Sequence, residues 1–139
     1  MGGALATFAG VDIKTTLGVT TAMTMYTFGS PRTGNQAFSD FVFKQFSTQG
    51  YQRITHNNDV VPHLPPSEFG FNHAGNEVWQ KSAGDDLTVV QCANSAGKAE
   101  NTACADSILA TGVDAHLRYL AVTIGSQCTS YQSHLNFLE

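Results

Sequence analysis

The most specific segment of this sequence is Thr55-His56-Asn57-Asn58-Asp59-Val60-Val61-Pro62-His63-Leu64-Pro65-Pro66. It follows a short run, residues 51–55, that is typical of a strand, and it is rich in turn-forming and proline residues. Open α/β sheets place ligand-binding residues at the carboxyl ends of their strands, which is where Asp59 falls. Because Asn-Asn-Asp is also ordinary turn chemistry, Asp59 taken alone is either a turn residue or a functional carboxylate.

The segments that precede this stretch alternate between helix and strand patterns. In order they are a helix over 2–18, a strand over 21–28, a helix over 35–46 and the strand over 51–55. The apolar residues of the first helix share one broad face: Ala4, Leu5, Phe8, Val11 and Ile13. This alternation predicts an α/β architecture with a mostly parallel sheet and flanking helices.

The segments that follow are shorter and less regular. Residues 62–70 are proline-rich and irregular, and residues 71–81 and 87–91 read as a pair of strands. Residues 114–124, which contain His116, are predicted to be helical or rich in turns. The sequence contains no internal repeat and no domain linker.

Length and composition exclude several classes of protein. The 139 residues fit one domain, and a hydrophobic content of 42% is enough to build a core. The net charge of −4 provides no basic patch for nucleic acid. No apolar run approaches the ~20 residues that a transmembrane helix needs. Residues 1–17 lack the basic start of a signal peptide.

The three cysteines form an odd set. Cys92 and Cys104 bracket a short polar loop, and a disulfide between them would stabilise the fold by roughly 2–3 kcal/mol. Cys128 has no partner nearby in the sequence. The alternative is three free thiols in a cytosolic protein, but we favour the disulfide and hence a secreted parent protein.

Several ordered segments resemble the fungal class 3 lipases, the family that also holds the secreted feruloyl esterases. The Asp59 stretch resembles the loop that carries the acid of the family's catalytic triad. The other matching segments are Met1-Gly2-Gly3-Ala4-Leu5-Ala6, Tyr26-Thr27-Phe28-Gly29-Ser30-Pro31-Arg32 with its continuation to Phe38, Phe69-Gly70-Phe71-Asn72-His73, Glu77-Val78-Trp79, and Asp114-Ala115-His116-Leu117-Arg118-Tyr119-Leu120. Together they cover roughly residues 1–120.

The resemblance implies a partial α/β-hydrolase fold. Residues 1–139 would be the C-terminal part of one such domain, with 129–139 an unassigned tail. Family members order their triad Ser, Asp, His, so Asp59 is expected to be the acid and His116 the base. The nucleophilic serine is absent and would stand immediately before Met1. The backbone N–H of Met1 would be one oxyanion-hole donor, although at a chain start it is an amine. No metal and no cofactor are expected.

The remaining histidines and serines receive weaker assignments. His56 and His73 are expected to be structural hydrogen-bonding residues, and His63 to line the loop near the site. A zinc site built from these three fails on spacing, because no cysteine pair or helical histidine pair supports it. Ser30 and Ser126 follow glycines but lack the Gly-x-Ser-x-Gly context of a nucleophile.

The expected function is hydrolysis of carboxylic esters, with triacylglycerols and other lipid esters as substrates and an extracellular location. The parent protein is expected to contact a lipid interface, and neither nucleic acid nor a membrane-spanning segment is expected. Three alternatives stay open: a feruloyl-type esterase acting on aryl esters of plant cell walls, a non-catalytic remnant that serves as an interaction module, and a truncated gene product. Without the serine, the chain by itself is expected to be inactive.

Overall fold

A four-stranded sheet forms the centre of the computed structural model, which describes residues 1–84, 86–92 and 100–124. Its strands lie in the order β1 (Met25–Phe28), β2 (Tyr51–His56), β3 (Asn76–Gln80) and β4 (Val89–Cys92). The first three strands are parallel and β4 is antiparallel to β3. The predicted α/β class with a mostly parallel sheet is confirmed.

Two helices pack together against one face of this sheet. Helix α1 spans Gly2–Thr15 and helix α2 spans Gln36–Gly50. Asn35 begins α2 because its side chain accepts a hydrogen bond from the backbone N–H of Phe38. The apolar core between helices and sheet consists of Met25, Val42, Phe46, Tyr51 and Ala74.

The buried side of α1 differs from the predicted apolar face. Leu5 and Phe8 are 62% and 47% exposed, whereas Thr7 and Gly10 are buried. A Cβ at Gly10 would lie 2.9 Å from the Phe46 ring, so the helix approaches its neighbours too closely for a larger residue. Thr7 Oγ1 hydrogen-bonds the Tyr51 hydroxyl at 2.8 Å. The predicted face was right at Val11, which packs against the core, but it missed Thr7 and Gly10, because close packing selects small residues here.

Element boundaries also differ from the sequence-based ones. Helix α1 ends at Thr15 rather than at 18, since the β-branched Thr15 and Thr16 lie at its end. Strand β1 begins at Met25 rather than at 21. Helix α2 continues to Gly50, four residues beyond its predicted end. The predicted strand pair is present as the antiparallel β3 and β4.

The segment that carries His116 folds as a turn followed by a hairpin. A 3₁₀ helix, Asp114–Leu117, leads directly into β5 (Arg118–Tyr119), which pairs with β6 (Val122–Thr123). The backbone N–H of Leu120 donates to Oε1 of the buried Gln80, so the hairpin is attached to the end of β3. No helix among the described residues has the length and apolar character needed to span a membrane.

Candidate active site

Asp59 lies in a tight turn just beyond the carboxyl end of β2, where the sequence places it. Its backbone N–H donates to the carbonyl oxygen of His56, and its Oδ1 accepts a 2.8 Å hydrogen bond from the N–H of Val61. The Asp59 side chain is 1% exposed. A buried carboxylate whose first oxygen is already satisfied is fixed in orientation and directs its second oxygen to one place.

His116 faces that second oxygen. Its Nδ1 lies 2.8 Å from Oδ2 of Asp59, and its side chain is 28% exposed. Gly112 exchanges backbone hydrogen bonds with Asn58 and Val60, so the segment before His116 pairs with the Asp59 turn. No partner within the described part of the chain hydrogen-bonds Nε2. The structure therefore brings together the side chains of the two residues predicted to be acid and base, which are separated by 57 positions.

Tyr119 is a third member of this cluster, and the sequence analysis assigned it no role. Its hydroxyl donates to Oδ2 of Asp59 at 2.5 Å. Burial, followed by this hydrogen bond to Asp59, raises the pKa of Tyr119, so the phenol keeps its proton and acts as a donor. The only sequence signal was its place three residues after His116, where the turn into β5 directs both side chains to Asp59.

Gly29 forms the floor of the site. Its φ of +55° suits glycine, and a Cβ at this position would lie 2.8 Å from Nδ1 of His116 and 2.9 Å from Oδ2 of Asp59. Any side chain would therefore separate the acid from the base. The next residue, Ser30, packs against the start of α1, because a Cβ at Gly3 would lie only 2.7 Å from the Cβ of Ser30. The beginning of α1 thus lies beside the acid–base pair.

A buried arginine holds the loop that carries the acid. Arg32 donates to the carbonyl oxygens of His63 and Pro65, and its backbone N–H donates to that of Leu64. Its guanidinium forms two 2.6 Å hydrogen bonds with Glu100 and two longer ones, of 3.2 and 3.3 Å, with the two carboxylate oxygens of Asp106. This network links the acid loop to the segment after Cys92, and the sequence analysis missed it since the partners are 68 and 74 positions apart.

The carboxyl groups of this network titrate in opposite directions. Burial acts to raise the pKa of Glu100, but the hydrogen bonds from Arg32, the hydrogen bond with Asp106 and the neighbouring positive charges together outweigh it, and the pKa falls to about 2. Burial and the neighbouring Glu100 raise the pKa of Asp106 to about 6. His73 donates from Nε2 to the carbonyl oxygen of Pro62, and burial, with the nearby charge of Arg53, holds its pKa well below 6.5.

The shifted pKa of Asp106 predicts that the free energy of unfolding decreases as the pH rises through the range in which Asp106 loses its proton. Its pKa is raised on folding, so its contribution is fully present below its ordinary value of 3.8 and is lost as the pH rises to about 6. We expect the unfolding free energy of the wild type, measured relative to Asp106→Asn by urea denaturation, to fall across that window. Parallel pH profiles for the two proteins would contradict the prediction. Glu100, whose pKa is lowered, should produce the opposite slope as the pH falls from 4.5 toward 2.

The side chains of His63 and Ser30, which the sequence analysis also considered, form hydrogen bonds to the backbone. His63 contacts the carbonyl oxygens of Asp59 and Ala105 with its two ring nitrogens, so its ring supports the loop. Ser30 is buried and its hydroxyl donates to the carbonyl oxygen of Pro31. Ser126 and Cys128 lie outside the described residues.

The predicted disulfide between Cys92 and Cys104 is confirmed. It packs with Trp79 and Ala105 in a second apolar cluster. The carboxylate of Glu77 lies within 4.8 Å of both sulfurs, the only such grouping of candidate metal ligands in the described ranges. With the sulfurs bonded to each other, neither is available as a thiolate ligand.

Comparison with known proteins identifies the relatives of this arrangement. The family model described as lipase (class 3) matches residues 1–69. A lipase of Rhizopus niveus is 34% identical over 129 residues, which make up 91% of this chain and 31% of that protein. The secreted mono- and diacylglycerol lipase 1 of Fusarium solani is 36% identical over 121 residues, 86% of this chain and 34% of that protein. The chain spans about a third of the length of these curated relatives.

Solved structures agree with these relatives. Lipase II from Rhizopus niveus superposes with a TM-score of 0.79 at 36% identity, covering 90% of this chain and 46% of that one. A triacylglycerol lipase whose catalytic centre is described as a serine protease triad superposes with a TM-score of 0.75 at 36% identity, covering 88% of this chain and 45% of its own. The family match, the ordered motifs and the shared α/β-hydrolase architecture place this chain in the class 3 lipase family.

Proposed function

We propose that this chain supplies the acid and the base of a Ser-His-Asp triad that hydrolyses carboxylic esters. The observation that carries the proposal is the 2.8 Å contact between Nδ1 of His116 and Oδ2 of a buried, hydrogen-bonded Asp59. A carboxylate placed there holds the imidazole in one tautomer and stabilises its positive charge, which leaves Nε2 to accept a proton. Asp59 is the orienting acid in this proposal and His116 the general base.

The nucleophile in this proposal is a serine immediately before Met1. The packing of Gly3 against Ser30, one residue from the glycine beneath His116, supports that position. A serine at the start of α1 would also meet the positive end of the helix dipole, which stabilises a developing oxyanion. As an internal residue, Met1 would donate its backbone N–H to that oxyanion.

The reaction then follows from the roles of these groups. Nε2 of His116 takes the proton of the serine hydroxyl as the oxygen attacks the ester carbonyl, and the resulting imidazolium is paired with Asp59. The imidazolium returns the proton to the departing alcohol, which leaves an acyl-enzyme. A water activated by the same nitrogen releases the acid. No step uses a metal or a cofactor.

Lipid esters are the proposed substrates, and the protein is proposed to act outside the cell at a lipid interface. Three apolar side chains near the base in the sequence are exposed to solvent, namely Leu109, Val113 and Leu117. Exposed apolar surface beside a catalytic group suits a substrate with acyl chains. The Cys92–Cys104 disulfide supports an oxidising compartment. Hydrolysis of methyl ferulate in preference to a medium-chain glyceride would favour the aryl-esterase alternative instead.

Labelling with a fluorophosphonate tests the assignment of the nucleophile. The reagent phosphonylates an activated serine and releases fluoride. We expect one adduct, on the serine directly before Met1, when the chain is expressed with its natural preceding sequence, and none on the chain from Met1 onward. His116→Ala in the longer protein should abolish labelling. An adduct on Ser30 or Ser126 would overturn the proposal, and a folded longer protein without any adduct would favour the non-catalytic interaction module.

A further inference from the structure

His56 lies at the junction of every element that builds the acid–base pair. It is the last residue of β2, it is 2% exposed, and its carbonyl oxygen accepts the backbone N–H of Asp59. Its ring meets the ring of Tyr119 edge-on, with centroids 5.6 Å apart. Tyr119 in turn donates to the carboxylate of Asp59. His56 therefore contacts the turn of the acid and the donor that supports it.

The imidazole of His56 also reaches the segment of the base. Its Nδ1 lies 2.9 Å from the carbonyl oxygen of Ala115, the residue before His116. Its Nε2 lies 3.0 Å from the carbonyl oxygen of Ser82, just beyond β3. Carbonyl oxygens only accept hydrogen bonds, so each contact is a bond only if the ring nitrogen carries a proton. A neutral ring satisfies one contact and the doubly protonated ring satisfies both.

We propose that His56 is a positioning residue for the base, acting through an Nδ1–H bond to the carbonyl oxygen of Ala115. The inference rests on the function proposed above. His116 stands on a 3₁₀ helix of only four residues, Asp114–Leu117, which has little rigidity of its own. The bond from His56 ties this helix to the end of β2, the same strand end that fixes Asp59. Asp59 and His116 are thereby both attached to the end of β2.

The distance between acid and base depends on such anchoring. The His116 ring is held against Asp59 by a hydrogen bond of 2.8 Å at Nδ1. Misplacement of a catalytic group by about 1 Å costs on the order of 10²-fold in rate. His56 is itself buried, and its bond to Ala115 is one of the contacts that fix the segment carrying His116. Loss of that bond should therefore appear in kcat rather than in KM.

Two variants separate the two ring contacts. In His56→Asn the amide nitrogen is attached to Cγ, as Nδ1 is, so it can keep the bond to Ala115. In His56→Gln the amide nitrogen lies one bond further out, near the place of Nε2, and it can keep only the bond to Ser82. Both variants remove the ring, and each can keep a hydrogen bond at only one of the two contact positions, so each serves as the control for the other.

The first measurement is ester hydrolysis by the longer protein with these substitutions. We expect His56→Asn to lower kcat by about threefold and His56→Gln to lower it by about 30-fold, with KM within twofold in both, as misplacement of the base requires. Equal losses of kcat that follow equal losses of thermal stability would overturn the positioning role and leave His56 as a structural residue.

The second measurement needs no activity and no substitution that could unfold the protein. A long-range ¹H–¹⁵N spectrum of the wild-type protein reports which ring nitrogen of His56 is protonated. A proton on Nδ1 is required, and an unprotonated Nδ1 would overturn the inference even if the enzyme is active. The low-field Nδ1 proton of His116, assigned by its loss in His116→Ala, should persist in His56→Asn and shift in His56→Gln. These spectra do not require an active enzyme. They therefore distinguish a failure of the positioning role of His56 from a failure of the proposed function.

Discussion

Asp59→Asn is expected to lower kcat for ester hydrolysis by roughly 10⁴-fold in the protein that carries the preceding serine, as in comparable triads. An asparagine amide facing Nδ1 of His116 donates instead of accepting, which drives the imidazole proton to Nε2. A protonated Nε2 cannot take the proton of the serine. The substitution also leaves Tyr119 to donate to a neutral group, because its hydroxyl bonds Oδ2 of the same carboxylate.

Three further variants test whether the loss of kcat in Asp59→Asn arises from the pairing of Asp59 with His116. His116→Ala removes the base and should lower kcat by roughly 10⁶-fold, with the double variant no worse than His116→Ala, since the two residues act as one unit. Asp114→Asn changes an exposed carboxylate two residues from the base, and its kcat should stay within about twofold of wild type. Initial rates on a short-chain p-nitrophenyl ester provide the measurement. Near-full activity in Asp59→Asn would exclude the triad.

Arg32→Met is expected to lower the free energy of unfolding by about 3–5 kcal/mol, which is the usual cost of removing one partner from a buried ion pair. The side chains of Arg32 and Glu100 are 4% and 9% exposed, so the variant would leave a desolvated carboxylate without its cation. The carbonyl oxygens of His63 and Pro65 would lose their donors as well. Such a loss is comparable with the stability of a whole domain, roughly 5–15 kcal/mol.

Urea denaturation of a small variant set measures this effect. Arg32→Lys should recover part of the loss, because an ammonium keeps the charge but cannot form the two parallel bonds to Glu100. Arg32→Met combined with Glu100→Gln should lose less than the sum of the single variants, since the uncompensated charge is gone. Lys44→Met, which removes an exposed cation, should stay within about 0.5 kcal/mol of wild type. A loss below 1 kcal/mol in Arg32→Met would mean that the network does not support the fold.

The sequence predicted those features that depend on short segments. The resemblance of two separate segments to class 3 lipases singled out Asp59 and His116 as partners, and the structure places their side chains in contact. The bracketed loop predicted the pairing of Cys92 with Cys104, which is present. The existence and type of the main helices and strands were also predicted, because periodicity is a local property. Their ends were less accurate, since helix α2 extends four residues beyond the expected end.

The features that the sequence did not reveal depend on residues far apart in the chain. The buried face of α1 was predicted only in part, because Gly10 and Thr7 are selected by closeness to Phe46 and Tyr51 rather than by hydrophobicity. Nothing near Arg32 in sequence indicates that Glu100 would neutralise it. Pattern analysis counts apolar positions and has no means of pairing a charge with a partner that folding brings to it.

By itself the sequence predicted the fold class and the disulfide, both of which the structure confirms, and its resemblance to class 3 lipases singled out Asp59 and His116. Only the tertiary structure decided how the pair is held. The donation from Tyr119 to Asp59, the bond from His56 to Ala115 and the glycine floor at Gly29 all depend on distances between separate elements. The physical reason is that hydrogen bonds and close packing act over about 3 Å and require fixed directions. Such geometry exists only after the sheet, the acid turn and the hairpin have packed together.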